Sequence, residues 1–153
     1  MSILLLALAL AAPVSAASDE ARSDDLVTCS VNVRALDGAG NSRSARRVSA
    51  SVAPAVVFRG RVSPKEANGP TLLFDVFNPR GQRYQVLVAA PRVDTTADRG
   101  RRTPRGARVS EATLAIAGSS IAWTSMYGKW RVEPRLERES KPCGRPEYFT
   151  IRP

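Results

Sequence analysis

The chemistry open to this chain is set first by what it lacks. Its 153 residues include no histidine, so Ser-His-Asp, Cys-His and His-metal arrangements cannot be built in their usual form. Asp75, Glu111, Glu133 and Glu147 are carboxylates that could meet in space as an acid and base pair. The simpler role for each is a solvated partner for a nearby arginine. No Gly-rich loop runs from a strand into a helix, and Gly38-Ala39-Gly40 is only a weak echo of one. Nucleotide binding therefore lacks its scaffold, and neither a cofactor nor a metal is expected. These residues point away from an enzyme and toward a protein that acts by binding.

Three groups of residues suit binding or bonding. Arg99, Arg101, Arg102, Arg105 and Arg108 place five arginines in ten residues. Arginine forks suit phosphate and carboxylate, so this stretch is a candidate anion grip. It lacks the interleaved aromatics on which single-stranded nucleic acid stacks, and its plain alternative is a solvated loop. Trp123, Tyr127 and Arg131 form a candidate aromatic and cationic patch for a sugar or a partner protein, whereas Trp130 is expected in the core. Cys29 and Cys143 are expected to form a disulfide that closes a loop of over 100 residues. In the chain-entropy model such a bond stabilises by about 4 to 5 kcal/mol. Two buried thiols are the alternative; a tetrahedral metal site is not, because two isolated cysteines without histidine cannot complete it.

The elements that must position these residues are short strands. Leu72 to Phe77 and Tyr84 to Ala90 are apolar runs rich in β-branched and aromatic residues, and Asn78-Pro79-Arg80-Gly81 between them fits a type I turn. An antiparallel hairpin over Thr71 to Pro91 is the strongest local signal. Leu26 to Arg34 alternates, with Val27, Cys29, Val31 and Val33 on the inner face. Val48, Ala50 and Val52 share a face, and Val56 to Val62 reads as a further strand, an edge with Pro54 marking a bend. Ala112, Leu114 and Ile116 are spaced by two, and Ile121 to Met126 is expected to cross to a second sheet. Trp130, Val132, Pro134 and Leu136 share one face, and Phe149 and Ile151 turn inward on a short last strand. No amphipathic helix of three turns follows the N-terminal region. Seven or eight short strands separated by turn signals predict an all-β, antiparallel sandwich.

The N-terminus and the charge balance bear on where the domain works. Ile3 to Ala12 is an uncharged apolar run followed by Pro13 and the small residues Val14-Ser15-Ala16-Ala17. Residues 1–17 are expected to be a signal peptide cut after Ala16 or Ala17, since the run is too short to span a bilayer. Residues 18–25 form an acidic, flexible tail, and 26–153 form the sandwich, with a mobile Arg-rich loop at 92–108. The exported chain is expected in the periplasm or outside the cell, where disulfides persist. The whole chain has 23 basic and 14 acidic residues. Setting aside Arg22 and the acids Asp19, Glu20, Asp24 and Asp25 leaves 22 basic against 10 acidic from Leu26 onward, a net charge of +12. Such a body attracts anionic polymers such as lipopolysaccharide, acidic glycan or nucleic acid.

Two stretches carry a resemblance. Phe74-Asp75-Val76-Phe77-Asn78-Pro79-Arg80-Gly81 resembles an F-x-V-x-x-P-x-G hairpin, and Tyr127-Gly128-Lys129-Trp130-Arg131-Val132-Glu133 with Phe149-Thr150-Ile151 resembles a G-x-W-x-V … F-x-I ending. Both are similar to segments of immunoglobulin-like domains of bacterial secreted and periplasmic proteins. The resemblance implies an immunoglobulin-like sandwich with Trp130 in its core, and no fixed chemistry. The expected function is that of a binding or accessory module whose partner is a protein or another envelope component. The alternative is a binder of anionic polymers through the Arg-rich loop.

Overall fold

A computed structural model describes residues 27–63, 70–91 and 108–153. The expected leader, the acidic tail and the arginines from Arg99 to Arg105 lie outside the described residues. In chain order the strands are β1 (Thr28–Leu36), β2 (Ser42–Ser44), β3 (Arg47–Ser49), β4 (Ala55–Ser63), β5 (Leu72–Phe77), β6 (Arg83–Val88), β7 (Ala90–Pro91), β8 (Arg108–Ala115), β9 (Gly128–Leu136) and β10 (Glu147–Arg152), with one helical turn, α1 (Ser120–Trp123), before β9. They form two five-stranded sheets, ordered β2-β1-β4-β8-β7 (sheet A) and β3-β10-β9-β5-β6 (sheet B). The expected all-β sandwich is present. Its strand count exceeds the expected seven or eight because β2, β3 and β7 are only two or three residues long, too short to show an alternation. One pair, β3 with β10, is parallel.

The alternating strands bury the side chains that their period dictates. Cys29, Val31, Val33 and Ala35 of β1 face the core, as do Trp130, Val132, Pro134 and Leu136 of β9. Phe58 of β4 crosses from sheet A to meet Phe74 and Phe149 of sheet B at 5.8 and 5.6 Å between ring centroids. Trp130 lies against Phe149 and takes the edge of Tyr84 at 5.3 Å. Its indole N–H donates to the Met126 carbonyl at 3.0 Å, so the buried ring keeps its polar atom satisfied.

The hairpin follows its turn residues. The Gly81 N–H donates to the Asn78 carbonyl at 2.9 Å. The Asn78 side-chain oxygen accepts from the N–H of Arg80 and of Gln82, each at 3.0 Å. Gly81 sits at φ 78°, the left-handed region that a residue without Cβ enters at no steric cost. The register shift at Val76/Phe77 is the bulge this loop brings with it.

Three expectations are corrected. β4 is the centre of sheet A rather than an edge: β1 flanks it from Ala55 to Ser63 and β8 from Ala55 to Val62. Pro54 ends just outside the strand, where its missing N–H costs no ladder bond and its carbonyl accepts from Ile116 and Ala117 at 2.8 and 3.0 Å. Val48, Ala50 and Val52 do not share a strand face. The Ser49 carbonyl captures the N–H of Val52 and Ala53 in a turn, leaving Val52 63% exposed. The second half of the hairpin is not half-buried throughout. β6 is the border of sheet B, and beyond it the chain steps across to sheet A as β7.

The expected crossing at Ile121 to Met126 is made through α1. The Ser119 hydroxyl caps it by accepting the Ile121 N–H at 3.2 Å, and Ile121 is fully buried.

Gly60 decides how closely the sheets approach. A Cβ there would stand 2.3 Å from Leu72 Cδ2 and 2.8 Å from Phe74 Cζ, both on buried side chains. Gly60→Ala is expected to lower the free energy of unfolding by about 1 to 3 kcal/mol, the cost of overpacking. Gly38→Ala, with nothing within 4 Å of its Cβ, is expected to stay within about 0.5 kcal/mol. Urea titrations of the two variants check the contrast.

Candidate binding surfaces

The disulfide is present and fixes one end of the sandwich. Cys29, the second residue of β1, is bonded to Cys143 in the loop between β9 and β10, with the Cα atoms 5.2 Å apart and a sequence separation of 114. It therefore joins sheet A to the loop beside sheet B. Backbone bonds complete the clasp: the Cys29 N–H donates to the Cys143 carbonyl at 2.8 Å, and the Cys143 N–H to the Pro134 carbonyl at 2.9 Å. Gly144 is required here, because a Cβ would lie 2.0 Å from the Cys29 carbonyl oxygen.

The outer face of sheet B is built from cross-strand rows. One row runs Arg83, Phe77, Arg131, Tyr148 and the next runs Val86, Asp75, Glu133. Asp75 and Glu133 thus stand directly opposite each other, which would be unfavourable alone. Arginines from the neighbouring positions neutralise them. Arg135 Nε donates to Asp75 Oδ2 at 2.7 Å, and Arg131 Nε lies 3.2 Å from Glu133 Oε1. The hydrogen bond to Asp75 raises the already high pKa of Arg135, against the lowering effect of burial. Arg131 also covers the Phe77 ring at 4.1 Å, and Lys129 covers Tyr148 at 4.4 Å. A shallow groove of about 670 Å³ runs along Asp75, Arg83, Glu133 and Arg135 to Pro142. Asp75 Oδ1 is buried there without a hydrogen bond, with Arg83 Nη1 at 4.0 Å. Glu111 is engaged by Arg59 at 3.6 Å, and Glu147 stands opposite Val132 at the start of β10. The carboxylates are thus spread over both sheets, and the two that meet are each held by arginine.

The aromatic and cationic patch is divided. Trp123 on α1 is 81% exposed. Tyr127 instead lines an end groove of about 430 Å³ between the hairpin tip, Asn78 to Gln82, and the segment Thr124 to Met126. Arg131 is committed to Phe77 and Glu133. Of the Arg-rich stretch, only Arg108 falls in a described element, opening β8 opposite Val62.

One group escaped the sequence reading. Arg34, Arg59 and Arg61 lie on the outer face of sheet A and line a common groove of about 370 Å³ with Ser30, Asn32 and Ser44. The alternation Arg59-Gly60-Arg61 carried the only signal, and it does not reveal that Arg34 of another strand stands alongside. Among the described residues no three His, Cys, Asp or Glu side chains gather as metal ligands.

With this geometry in hand, the likeness to a solved structure is informative. An immunoglobulin-like protein from Pseudomonas aeruginosa superposes with a TM-score of 0.50, covering 82% of this chain and 96% of that one at 15% identity. The fold is immunoglobulin-like. At that identity the likeness concerns fold alone. No protein-family model matches the chain, and no curated protein does.

Two outcomes follow for these contacts. Replacing both Cys29 and Cys143 by alanine is expected to lower the free energy of unfolding by about 4 to 5 kcal/mol, as the loop length implies; a loss under about 1 kcal/mol in urea titration would contradict the clasp. Arg135→Ala strands a buried carboxylate and is expected to cost about 2 to 4 kcal/mol. Arg83→Ala, whose side chain is 61% exposed, is expected to cost less than about 1 kcal/mol. Equal losses for the two would refute the assigned pairing.

Proposed function

We propose that the protein is an exported, non-enzymatic binding module that holds a protein partner of the cell envelope or extracellular space by pairing with one of the partner's strands. The observation that carries this reading is the border strand β6. An uncovered border strand is a template for another chain, and proteins ordinarily blunt it with short length, charge or proline. β2, β3 and β7 are two or three residues long and include Arg43, Arg47 and Pro91 respectively. β6 has six residues and carries no charge after Arg83.

Its backbone supports the same reading. The Ala89 N–H donates to the Leu72 carbonyl at 2.9 Å, and Leu87 pairs with Phe74. By the two-residue period, the N–H and C=O groups of Val86 and Val88 then face away from β5. The side chains of these same valines are 39% and 67% exposed. A partner strand would find backbone partners and an apolar surface in one place. Export rests on the leader-like residues 3–17 and is supported by the Cys29–Cys143 bond, which belongs in an oxidising compartment. The lack of histidine in the chain supports binding over catalysis.

Proline substitution tests this directly. Val88→Pro removes an N–H that β5 does not use, so the domain is expected to keep its stability within about 1 kcal/mol. A photo-crosslinker at position 86 is expected to capture a protein partner in the native envelope and to lose it when Val88→Pro is added. An adduct that survives the proline change would refute pairing at this border.

A further inference from the structure

The outer face of sheet A presents a charge arrangement unlike that of sheet B. β1 and β4 run antiparallel with Ser30 opposite Arg61, Asn32 opposite Arg59 and Arg34 opposite Val57. Arg59 and Arg61, two residues apart on one strand, therefore project to the same side, with Arg34 diagonal to Arg59. On the far side of β1, Ser44 of β2 stands opposite Arg34. These residues line the groove of about 370 Å³, within the range of small-molecule sites.

Two of the three guanidiniums are held in place from outside the groove. Arg34 donates through Nε to the Ser42 hydroxyl at 3.0 Å and through Nη2 to the Ser42 carbonyl. Arg59 is only 12% exposed and is steadied by Glu111 of β8, 3.6 Å away. Arg61 makes no salt bridge among the described residues. The next carboxylate along β1, Asp37, is turned into its own loop, accepting from the N–H groups of Ala39 and Asn41. Among the described residues, the side chains that line the groove include three guanidiniums and no carboxylate. Like charges on neighbouring strand positions are unfavourable unless something offsets them.

The donor set defines the complement. Guanidinium forks present paired N–H groups that match the oxygens of an oxyanion, and Ser30, Asn32 and Ser44 add neutral donors around them. No aromatic ring lines the groove, so it offers no platform for a base or sugar ring, and the anion itself is what would be read. A carboxylate brings one negative charge. A phosphate monoester brings about −1.5 to −2 at pH 7 with three acceptor oxygens, which suits a lining of three arginines better.

We propose that the outer face of β1 and β4 is a phosphate-binding site, in which Arg34, Arg59 and Arg61 hold inorganic phosphate or a phosphomonoester group and Ser30, Asn32 and Ser44 complete its hydrogen bonds. The site lies on the sheet opposite β6 and does not depend on the pairing proposed there.

Calorimetric titration of the disulfide-bonded protein at constant ionic strength is the test, with inorganic phosphate, glycerol 3-phosphate and vesicles containing phosphatidate as probes. Saturable one-to-one binding of phosphate or glycerol phosphate is expected, without a counterpart for chloride. Arg61→Gln and Arg34→Gln are each expected to weaken it about tenfold to a hundredfold, the loss for removing a charge-assisted hydrogen-bonding group. Arg131→Gln, on the other sheet, is expected to leave it unchanged. Arg61→Lys keeps the charge without the fork and is expected to recover part of the affinity.

If the vesicles bind more tightly than glycerol phosphate, and Arg61→Gln abolishes this, the phosphate belongs to a lipid headgroup; the reverse order assigns a soluble source. Heat unfolding of each variant in phosphate-free buffer separates loss of the site from loss of the fold. Phosphate heats no larger than those of chloride, or wild-type affinity in a folded Arg61→Gln protein, would overturn the assignment.

Discussion

The sandwich depends on the insertion of one ring. Phe58 reaches from the central strand of sheet A into a cluster of Phe74, Phe149 and Trp130 on sheet B, and all four are fully or almost fully buried. Burying one such side chain stabilises by about 1.5 to 3 kcal/mol, and each well-placed ring pair adds about 0.5 to 1.5 kcal/mol. The insertion is possible because its neighbours are small. Gly60, two residues on, leaves room for Leu72 and Phe74, and Ala112 stands beside Phe58 on β8. The cluster therefore sets the distance between sheets at the centre, while the disulfide and the contact at Gly144 set it at one end. A larger residue at any of these points would part the sheets instead of filling a gap.

That geometry also explains which parts of the molecule could be anticipated from its residues. The inward sets of β1, β8 and β9 were legible because each strand has one covered and one wet face, so the period of two is printed in the side chains. The hairpin tip was legible because Asn78, Pro79 and Gly81 act within a few residues of each other. The order of strands within a sheet is a different kind of fact. β4 resembled a border strand because Pro54 precedes it, yet its run of buried residues, Val56, Val57 and Phe58, was the mark of a centre. In β6 the residues Val86, Leu87 and Val88 are apolar, and nothing local says that it is the border of its sheet among the described strands. The row of Arg83, Phe77, Arg131 and Tyr148 draws on four strands, so it exists only once register is known. Arg34 with Arg59 and Arg61 is hidden for the same reason.

The basic character of the chain is not spread evenly over the described surface. On sheet B, Arg135 and Arg131 answer Asp75 and Glu133, and the remaining cationic surface of Arg131 and Lys129 is laid on aromatic rings. Its charges are largely spent on one another. On sheet A, Arg34, Arg59 and Arg61 line one groove, with Glu111 beside Arg59. The same amino-acid type thus has two physical roles, decided by which residue the strand register puts opposite it. A count of net charge could suggest an anionic partner but could not choose a face, and the Arg-rich stretch stands out in the sequence only because its arginines lie close together along the chain.

What modulates such a surface follows from the residue types. Histidine is the side chain whose ordinary pKa falls between pH 5 and 8, and the chain has none. Guanidiniums stay protonated throughout that window, and at Arg135 the bonded carboxylate moves the group further from it. Protonation of the protein is therefore a poor switch for either outer face near neutral pH. Ionic strength is a better one, because charges separated by more than about 8 Å are largely screened at physiological salt. The groove on sheet A is partly shielded by its own walls, whereas a strand pairing at β6 as proposed would be held by backbone hydrogen bonds and valine contact that salt affects little. Salt dependence should thus divide the two surfaces: an association made through Arg34, Arg59 and Arg61 weakens as salt rises, and one made through Val86 and Val88 persists.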